Sequence, residues 1–278
     1  MTKILEKVDL SENVVKMVLD APAIARKRRA GQFVVLKIDE KGERIPLTTV
    51  DADPEKGTLT IIFQVVGKTT AKLAAMKAGD ELMDLQGPLG RPTHIEGVKN
   101  AVCVGGGVGV GVVYPIAAAL KKQGAKVTSI IGARCKDLLI LEDETRSISD
   151  NLIVTTDDGS YGVHGFVSDA LKNVIESGEK IDEVFAIGPV PMMKAVAAVT
   201  KNYGIKTTVS LNSIMVDATG MCGACRVAVG GETKFACVDG PEFDGHAVDF
   251  DLLASRLRMY MTQEKESMDK YRCECHGK

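Results

Sequence analysis

The chain has 278 residues, 45% of them hydrophobic, with 28 glycines and a formal net charge of −2. That length carries two or three domains with cores of their own. The near-neutral charge leaves no footprint for nucleic acid or an anionic membrane, and 4% aromatics with no Trp argue against a base-stacking platform.

The start, M-T-K-I-L-E-K-V-D-L, lacks the apolar core of a signal peptide. Residues 1–97 alternate short apolar runs with turns, the pattern of a small antiparallel β-barrel. Its clearest strands are Val14–Leu19, Gln32–Ile38, Leu59–Val66 and Glu81–Leu85, with turns at Asp53–Gly57 and Gly79-Asp80. Two stretches read as chemical. In R-I-P-L-T, ending a strand, Arg44 can pair with a pyrophosphate and the Thr48 hydroxyl can reach a flavin ring nitrogen. In V-G-K-T-T-A-K-L, Gly67, Thr69 and Thr70 open a short helix whose N–H groups suit a phosphate. The plainer alternatives are a surface strand end and a helix cap from Thr69 or Thr70. Q-G-P-L-G-R-P, from Gln86 to Pro92, then closes the barrel.

From residue 98 to 211 strands alternate with helices, which means a parallel α/β sheet with ligand sites beyond the carboxyl ends of its strands. The strands are Ala101–Val104, Lys126–Ile131, Asn151–Thr155, Glu183–Ile187 and Lys206–Leu211. The helices are Val110–Lys122, a short one near Leu141–Ile148, Phe166–Ser177 and Met192–Tyr203. Ala101–Leu120 is uncharged over 20 residues, yet its five glycines and Pro115 read as strand, phosphate turn and buried helix, not a membrane span. The turn V-G-G-G-V-G-V-G, holding Gly106, Gly107, Val108 and Gly109, satisfies G-x-G-x-x-G in no register. It serves either a phosphate or close strand–helix packing. The second strand ends in Gly132-Ala133-Arg134 without the usual acid, and Arg134 leaves a 2′-phosphate open. The loops T-T-D-D-G-S-Y-G, with Asp157, Asp158 and Gly159, and G-P-V-P-M-M, with Gly188, Pro189 and Met192, converge on the same crevice.

Residues 212–278 carry the strongest signal. Asp217 and Cys222 are separated by four residues, Cys222 and Cys225 by two, and Cys237 follows after a further eleven. Plant-type [2Fe–2S] sites use C-x4-C-x2-C and a distant Cys; here Asp217 stands in the first position, and a carboxylate can ligate ferric iron. Structural zinc with Asp217 or a tail residue as fourth ligand and a redox dithiol are the alternatives, and the register with its intervening hairpin favours iron–sulfur. Seven cysteines with three so clustered indicate metal binding in a reducing compartment, so a cytoplasmic protein. Cys103 reads as core and Cys135 as a loop thiol. Phe250–Tyr260 reads as a helix fit to dock another subunit, and Cys273, Cys275 and His276 as a C-x-C-H in a frayed tail.

The order R-x-P-L-T, G-G-G-x-G, G-P-x-P-M and then an iron–sulfur loop resembles the ferredoxin–NADP reductase superfamily. Within it the chain resembles the electron-transfer subunits of class B dihydroorotate dehydrogenase. Asp217 narrows the likeness to the small subunits of NADH-dependent reduced ferredoxin:NADP oxidoreductases, also known as sulfide dehydrogenase subunits. The resemblance covers the chain to about residue 262. It implies FAD in the barrel along Pro46, Leu47 and Thr48, with Phe63, Gln64 and Val65 and the turn at Gly67, Thr69 and Thr70. It implies NAD(H), with NADP(H) possible, against the four nucleotide loops, and a [2Fe–2S] cluster on Asp217, Cys222, Cys225 and Cys237. The implied partner is a larger, glutamate-synthase-like flavin and iron–sulfur subunit that uses NADP(H), with ferredoxin as an indirect partner.

Overall fold

The structure is a computed structural model that describes residues 1–276, with side chains as far as Cys273. The first part is an antiparallel sheet of β1 (Thr2–Ser11), β2 (Val14–Asp20), β3 (Phe33–Lys37), β4 (Arg44–Asp53), β5 (Thr58–Gln64), β6 (Glu81–Leu82) and β7 (Asp84–Leu89), with the short helices α1 (Pro22–Ala25) and α2 (Lys68–Ala75). The strand order is β6-β1-β2-β5-β4-β3-β7. Its two edges are successive pieces of one extended segment, interrupted at Met83, so the sheet nearly closes into a barrel. Ile4, Met17, Leu19, Leu36, Leu59 and Ile61 fill the inside, and Leu73 of α2 joins them.

One barrel strand, β1, is not among those expected, and R-I-P-L-T, expected to end a strand, instead begins β4. β1 is a ten-residue strand whose charged residues face outward, and β4 contains Pro46. β4 explains how a proline sits there: Arg44–Thr48 pair with β3 alone, while the pairing with β5 begins only at Thr49. One edge of Arg44–Thr48 therefore goes without a ladder, which is where a sheet tolerates proline. That open edge becomes one wall of the site.

The second part runs β8 (Asn100–Gly106), α3 (Gly109–Lys122), β9 (Lys126–Ala133), α4 (Glu142–Ile148), β10 (Asn151–Thr156), β11 (Val163–His164), α5 (Val167–Glu176), β12 (Glu183–Ile187), α6 (Val190–Asn202) and β13 (Thr207–Ser210). All its strand pairs are parallel, in the order β11-β10-β9-β8-β12-β13. The chain reverses direction across the sheet between β8 and β12, and such a switch point opens a crevice. The uncharged stretch 101–120 divides into β8 and α3, and among the described residues no helix is long and apolar enough to cross a membrane. Helices cover both faces of the sheet. Val102, Val104 and Ile130 pack on α5 and α6, while Cys103, Val127 and Phe185 pack on α3. Cys103 is fully buried, as core.

The last part is a hairpin of β14 (Arg226–Val229) and β15 (Glu232–Phe235), then β16 (Glu242–Asp244), α7 (Phe250–Leu257) and α8 (Met261–His276). β16 adds antiparallel to β13, so this part extends the parallel sheet. Cys225, Val227, Ala236, Cys237, Phe250 and Leu253 belong to the same core as α5, α6, Phe33 and Val35. The tail differs from the frayed end expected of it. It is helical to residue 276, and α8 packs against α2 of the barrel. Cys273 is exposed on α8, while the side chains of Cys275 and His276 lie outside the described residues.

Candidate functional site

A cleft of about 1800 Å³ opens between the barrel and the carboxyl ends of the parallel strands. The open edge of β4 supplies Arg44, Pro46, Leu47 and Thr48, β5 supplies Phe63 and Gln64, and Val66 and Thr70 follow. Facing them are Gly106, Gly107, Val108 and Gly109 after β8, Gly132, Ala133 and Arg134 at the end of β9, Asp157 after β10, and Gly188, Pro189 and Met192 after β12. Four loops distant in sequence thus meet at the switch point, each at a strand's carboxyl end.

Val65, Gly67, Thr69, Asp158 and Gly159 stand outside the lining. Val65 continues the barrel ladder, its N–H donating to Asn13 O at 2.8 Å. The Thr70 hydroxyl accepts from the N–H groups of Val66 and Gly67 at 3.0 and 3.1 Å, so it caps α2. Thr69 is buried and donates to Glu43 Oε2 at 2.6 Å. Asp158 accepts from Ser160 N at 2.9 Å, and its carboxyl is held low by the Ser160 hydroxyl and amide. Gly159 turns that loop at φ +73°. Cys135 also lies off the lining.

The glycine-rich turn divides its labour. A Cβ on Gly105 would come within 2.9 Å of Val110 Cα, and one on Gly109 within 2.3 Å of Ile187 O. Those two glycines serve close packing of α3 on the sheet. Gly107 has φ +55° and nothing within 4 Å of its missing Cβ, so it bares backbone to the cleft. The packing expected of this turn falls to Gly105 and Gly109, while Gly107 leaves backbone open to the cleft.

Two walls were not legible in the sequence. Ser210–Val216 lines the cleft on the side of the cluster loop, and Tyr260, Gln263, Glu264 and Ser267 line it from α8 and the turn before it. The first follows β13, so the rule that sites gather at carboxyl ends could have found it. Nothing in the charged C-terminal stretch marks the second.

Val216 lines the cleft, and Asp217, the next residue, begins the cysteine loop. The loop turns through Ala218 at φ +64°, Gly220 at +88° and Gly223 at +67°. An alanine in the left-handed region marks a strained loop held by its surroundings. Asp217 Oδ2 accepts from Thr219 N at 3.0 Å, Thr219 Oγ1 at 2.6 Å and Met221 N at 3.3 Å. These bonds, the Thr219 hydroxyl foremost, hold its carboxyl below the usual range, and the charge of Arg44 adds to them. Arg44 is fixed by Asp84 at 3.2 Å and Gln86 at 2.6 Å. Cys225 and Cys237 are buried with their sulfurs 3.1 Å apart. Burial, then the neighbouring Cys225, pushes the Cys237 thiol up to about 12. Cys222 is exposed, and the N–H groups of Ala224 and Asp217 pull its thiol down toward the thiolate.

These residues fit a two-iron cluster. Among the described residues no three His, Cys, Asp or Glu side chains converge on a single ion, but the four protein donors of a [2Fe–2S] group divide between two irons. Cys225 and Cys237 already form one pair. Cys222 and Asp217 adjoin on the loop, with Asp217 Oδ1 left over from the loop's own hydrogen bonds.

Comparison with known proteins agrees with this geometry. Residues 212–249 match the iron–sulfur cluster binding domain of dihydroorotate dehydrogenase B. A dihydroorotate dehydrogenase B (NAD(+)) electron transfer subunit homolog from Thermotoga maritima is 49% identical over 271 residues, covering 98% of this chain and 95% of the relative. A chain from a structure of NADH-dependent reduced ferredoxin–NADP oxidoreductase, described for flavin-based electron bifurcation, superposes with a TM-score of 0.92 at 49% identity and covers 98% of both chains. A ferredoxin NADP+ reductase from Neisseria gonorrhoeae solved with FAD and NADP shares the fold, with a TM-score of 0.62 at 21% identity over 73% of this chain and 90% of that one. On these likenesses the chain belongs to the family of dihydroorotate dehydrogenase B electron-transfer subunits and their homologues.

Proposed function

We propose that the chain is an electron-transfer flavoprotein subunit that passes electrons between NAD(H), FAD and a [2Fe–2S] cluster to a larger partner subunit. Residues 1–97 form the FAD barrel in this reading, 98–211 the nucleotide domain and 212–278 the cluster subdomain. The observation that carries it is continuity: one cleft has a flavin-compatible strand edge on one side and a nucleotide crevice on the other, and the cysteine loop starts at its rim.

When bound, the flavin supplies conversion between the two-electron hydride chemistry of a nicotinamide and the single electrons an iron–sulfur cluster accepts. The chain's own contribution is orientation and electrostatics. Pro46, Leu47 and Thr48 seat the ring along the unpaired edge of β4, with Phe63 and Gln64 beside them. The Thr48 hydroxyl has no hydrogen-bond partner among the described residues, which leaves it free for a ring nitrogen. Gly106–Gly109, Gly188, Pro189 and Met192 receive the nicotinamide end of the nucleotide. Gly132–Arg134 and Asp157 receive its ribose end, where Asp157 suits a free 2′-hydroxyl and Arg134 a 2′-phosphate. Asp217, Cys222, Cys225 and Cys237 hold the cluster.

The partner in this reading is a larger, glutamate-synthase-like flavin and iron–sulfur subunit. The whole is a cytoplasmic ferredoxin:NADP transhydrogenase that bifurcates electrons. Membership of the dihydroorotate dehydrogenase B family favours a second reading, the electron-transfer subunit of that enzyme, but Asp217 in place of the first cysteine counts against it. Purification decides the core claim. The protein should be yellow-brown with one FAD and a two-iron centre per chain, and NADH should bleach the flavin and raise a cluster signal in electron paramagnetic resonance. A colourless zinc protein overturns it. Co-purified subunits, together with assays of orotate and NADP reduction, separate the two readings.

A further inference from the structure

Two arginines end on carbonyl oxygens of the cysteine loop. Arg256, on α7, donates from Nη2 to Ala224 O at 3.2 Å, and Arg226 donates from Nη1 to Gly223 O at 3.1 Å. The peptide unit that presents Gly223 O also carries the Ala224 N–H, which faces the Cys222 sulfur. The unit that presents Ala224 O carries the N–H of Cys225. Two of the three peptide units between Cys222 and Cys225 are therefore polarised by a guanidinium. Neither arginine has a carboxylate partner among the described residues, so neither charge is neutralised locally.

Arg256 is the more constrained of the two. It comes from a distant element and is half-buried, whereas Arg226 is exposed and reaches only back along its own turn. α7 is a firm base: Asp249 caps it by accepting from Leu252 N at 2.9 Å, Phe250 and Leu253 are buried in the core, and Asp251 pairs with Lys194 of α6 at 2.6 Å. The guanidinium borders a small void of about 10 Å³ shared with Ser213, Ala224 and Leu257. Ser213 and Leu257 line the main cleft as well. Ser213 is 6% exposed and its hydroxyl has no partner among the described residues. Arg256 thus stands beside residues that also line the cleft.

We propose that Arg256 is a positioning residue for the cluster: it holds the ligating loop from α7, and its charge makes the cluster easier to reduce. The proposal rests on the reading of this loop as an iron–sulfur site. Reducing a cluster held here would add negative charge beside the loop. A guanidinium held against the ligating loop and partly shielded from water would stabilise the reduced form more than the oxidised one. Hydrogen bonds to the sulfurs act in the same direction, and a cation on the far end of the donating peptide strengthens them.

The test uses the purified protein with its cofactors, and the variants R256Q and R256K. Iron per chain, flavin per chain and the cluster's spectral line shape are measured first, then its reduction potential by a redox titration followed by electron paramagnetic resonance. R256Q should keep full iron and flavin while the midpoint moves to more negative potential, so NADH reduces a smaller fraction of the cluster. R256K should restore most of that fraction. Full iron with an unmoved midpoint in R256Q overturns the proposal, as does an equal displacement in both variants. Loss of iron from both also overturns it and leaves Arg256 a packing residue. An unaltered chain without iron fails at the earlier step, since it removes the iron–sulfur reading before any variant is compared.

Discussion

Alanine at Gly107 and alanine at Gly109 should have opposite consequences, though the two residues are neighbours in one turn. At Gly109 the new Cβ would sit 2.3 Å from Ile187 O, 2.7 Å from Ile187 C and 2.8 Å from Gly188 Cα, all backbone atoms. A backbone cannot swing aside as a side chain can, so the end of β12 or the start of α3 must shift. Such overpacking costs up to about 3 kcal/mol. For a chain of this size each kcal/mol lowers Tm by roughly 2–4 °C, so G109A should melt ~6–12 °C below the parent. At Gly107 no atom lies within 4 Å, and the only strain is an alanine at φ +55°. That costs about 1 kcal/mol, or ~2–4 °C. Its methyl, however, projects from backbone that lines the cleft, where the proposed function brings a nucleotide close. G107A should therefore keep flavin and fold while NAD(H) affinity falls at least tenfold, ~1.4 kcal/mol. Thermal unfolding followed by flavin fluorescence, with nucleotide titration below the transition, separates the two. Normal nucleotide binding by G107A would make the whole turn a packing device. A parental melting temperature for G109A would show that the backbone contact does not constrain the turn.

Four further outcomes are expected. Glu242 accepts from Thr93 Oγ1 at 2.7 Å, and burial first, with Glu183 adding, pushes its pKa up to about 7. The folded-state value lies above the unfolded one, so Glu242 is best tolerated below about pH 4.5 and its ionisation erodes stability as pH rises through about 7. E242Q should match the parent at pH 4.5 and exceed it by roughly 2–3 kcal/mol at pH 8, and equal melting temperatures at pH 8 would refute this. C225S should lose most of its iron and keep flavin and NADH-driven bleaching, with iron analysis as the check. D217C should retain a cluster with a displaced potential; an unchanged redox titration would deny Asp217 a tuning role. T48V should keep FAD but slow flavin reduction by NADH about tenfold, the value of one hydrogen bond, measured by stopped flow.

The features legible in the sequence are those that local physics writes locally. A sheet covered on both faces needs apolar residues at every position, so A-V-C-V and E-V-F-A-I read as buried strands, and β12 has the limits expected of it. The cysteine loop is legible for the same reason, because a cluster's donors must come mostly from one tight turn. The barrel hid more. β1 pairs β2 in a register whose outward residues are charged, so its apolar content looks too thin for a strand. β4 carries a proline that only its missing neighbour excuses, and that missing neighbour is the site. What remained invisible depends on parts of the chain meeting from afar. Leu257 is an ordinary apolar residue on a helix until α7 carries it to the wall that Ser213 shares with the cleft. Arg256, one residue earlier, is an ordinary surface cation by composition. Only folding brings it to a carbonyl 32 residues away, between Cys222 and Cys225. Spacing along the chain thus marks a candidate donor set, whereas a charge beside that loop arrives from an element with no sequence relation to it.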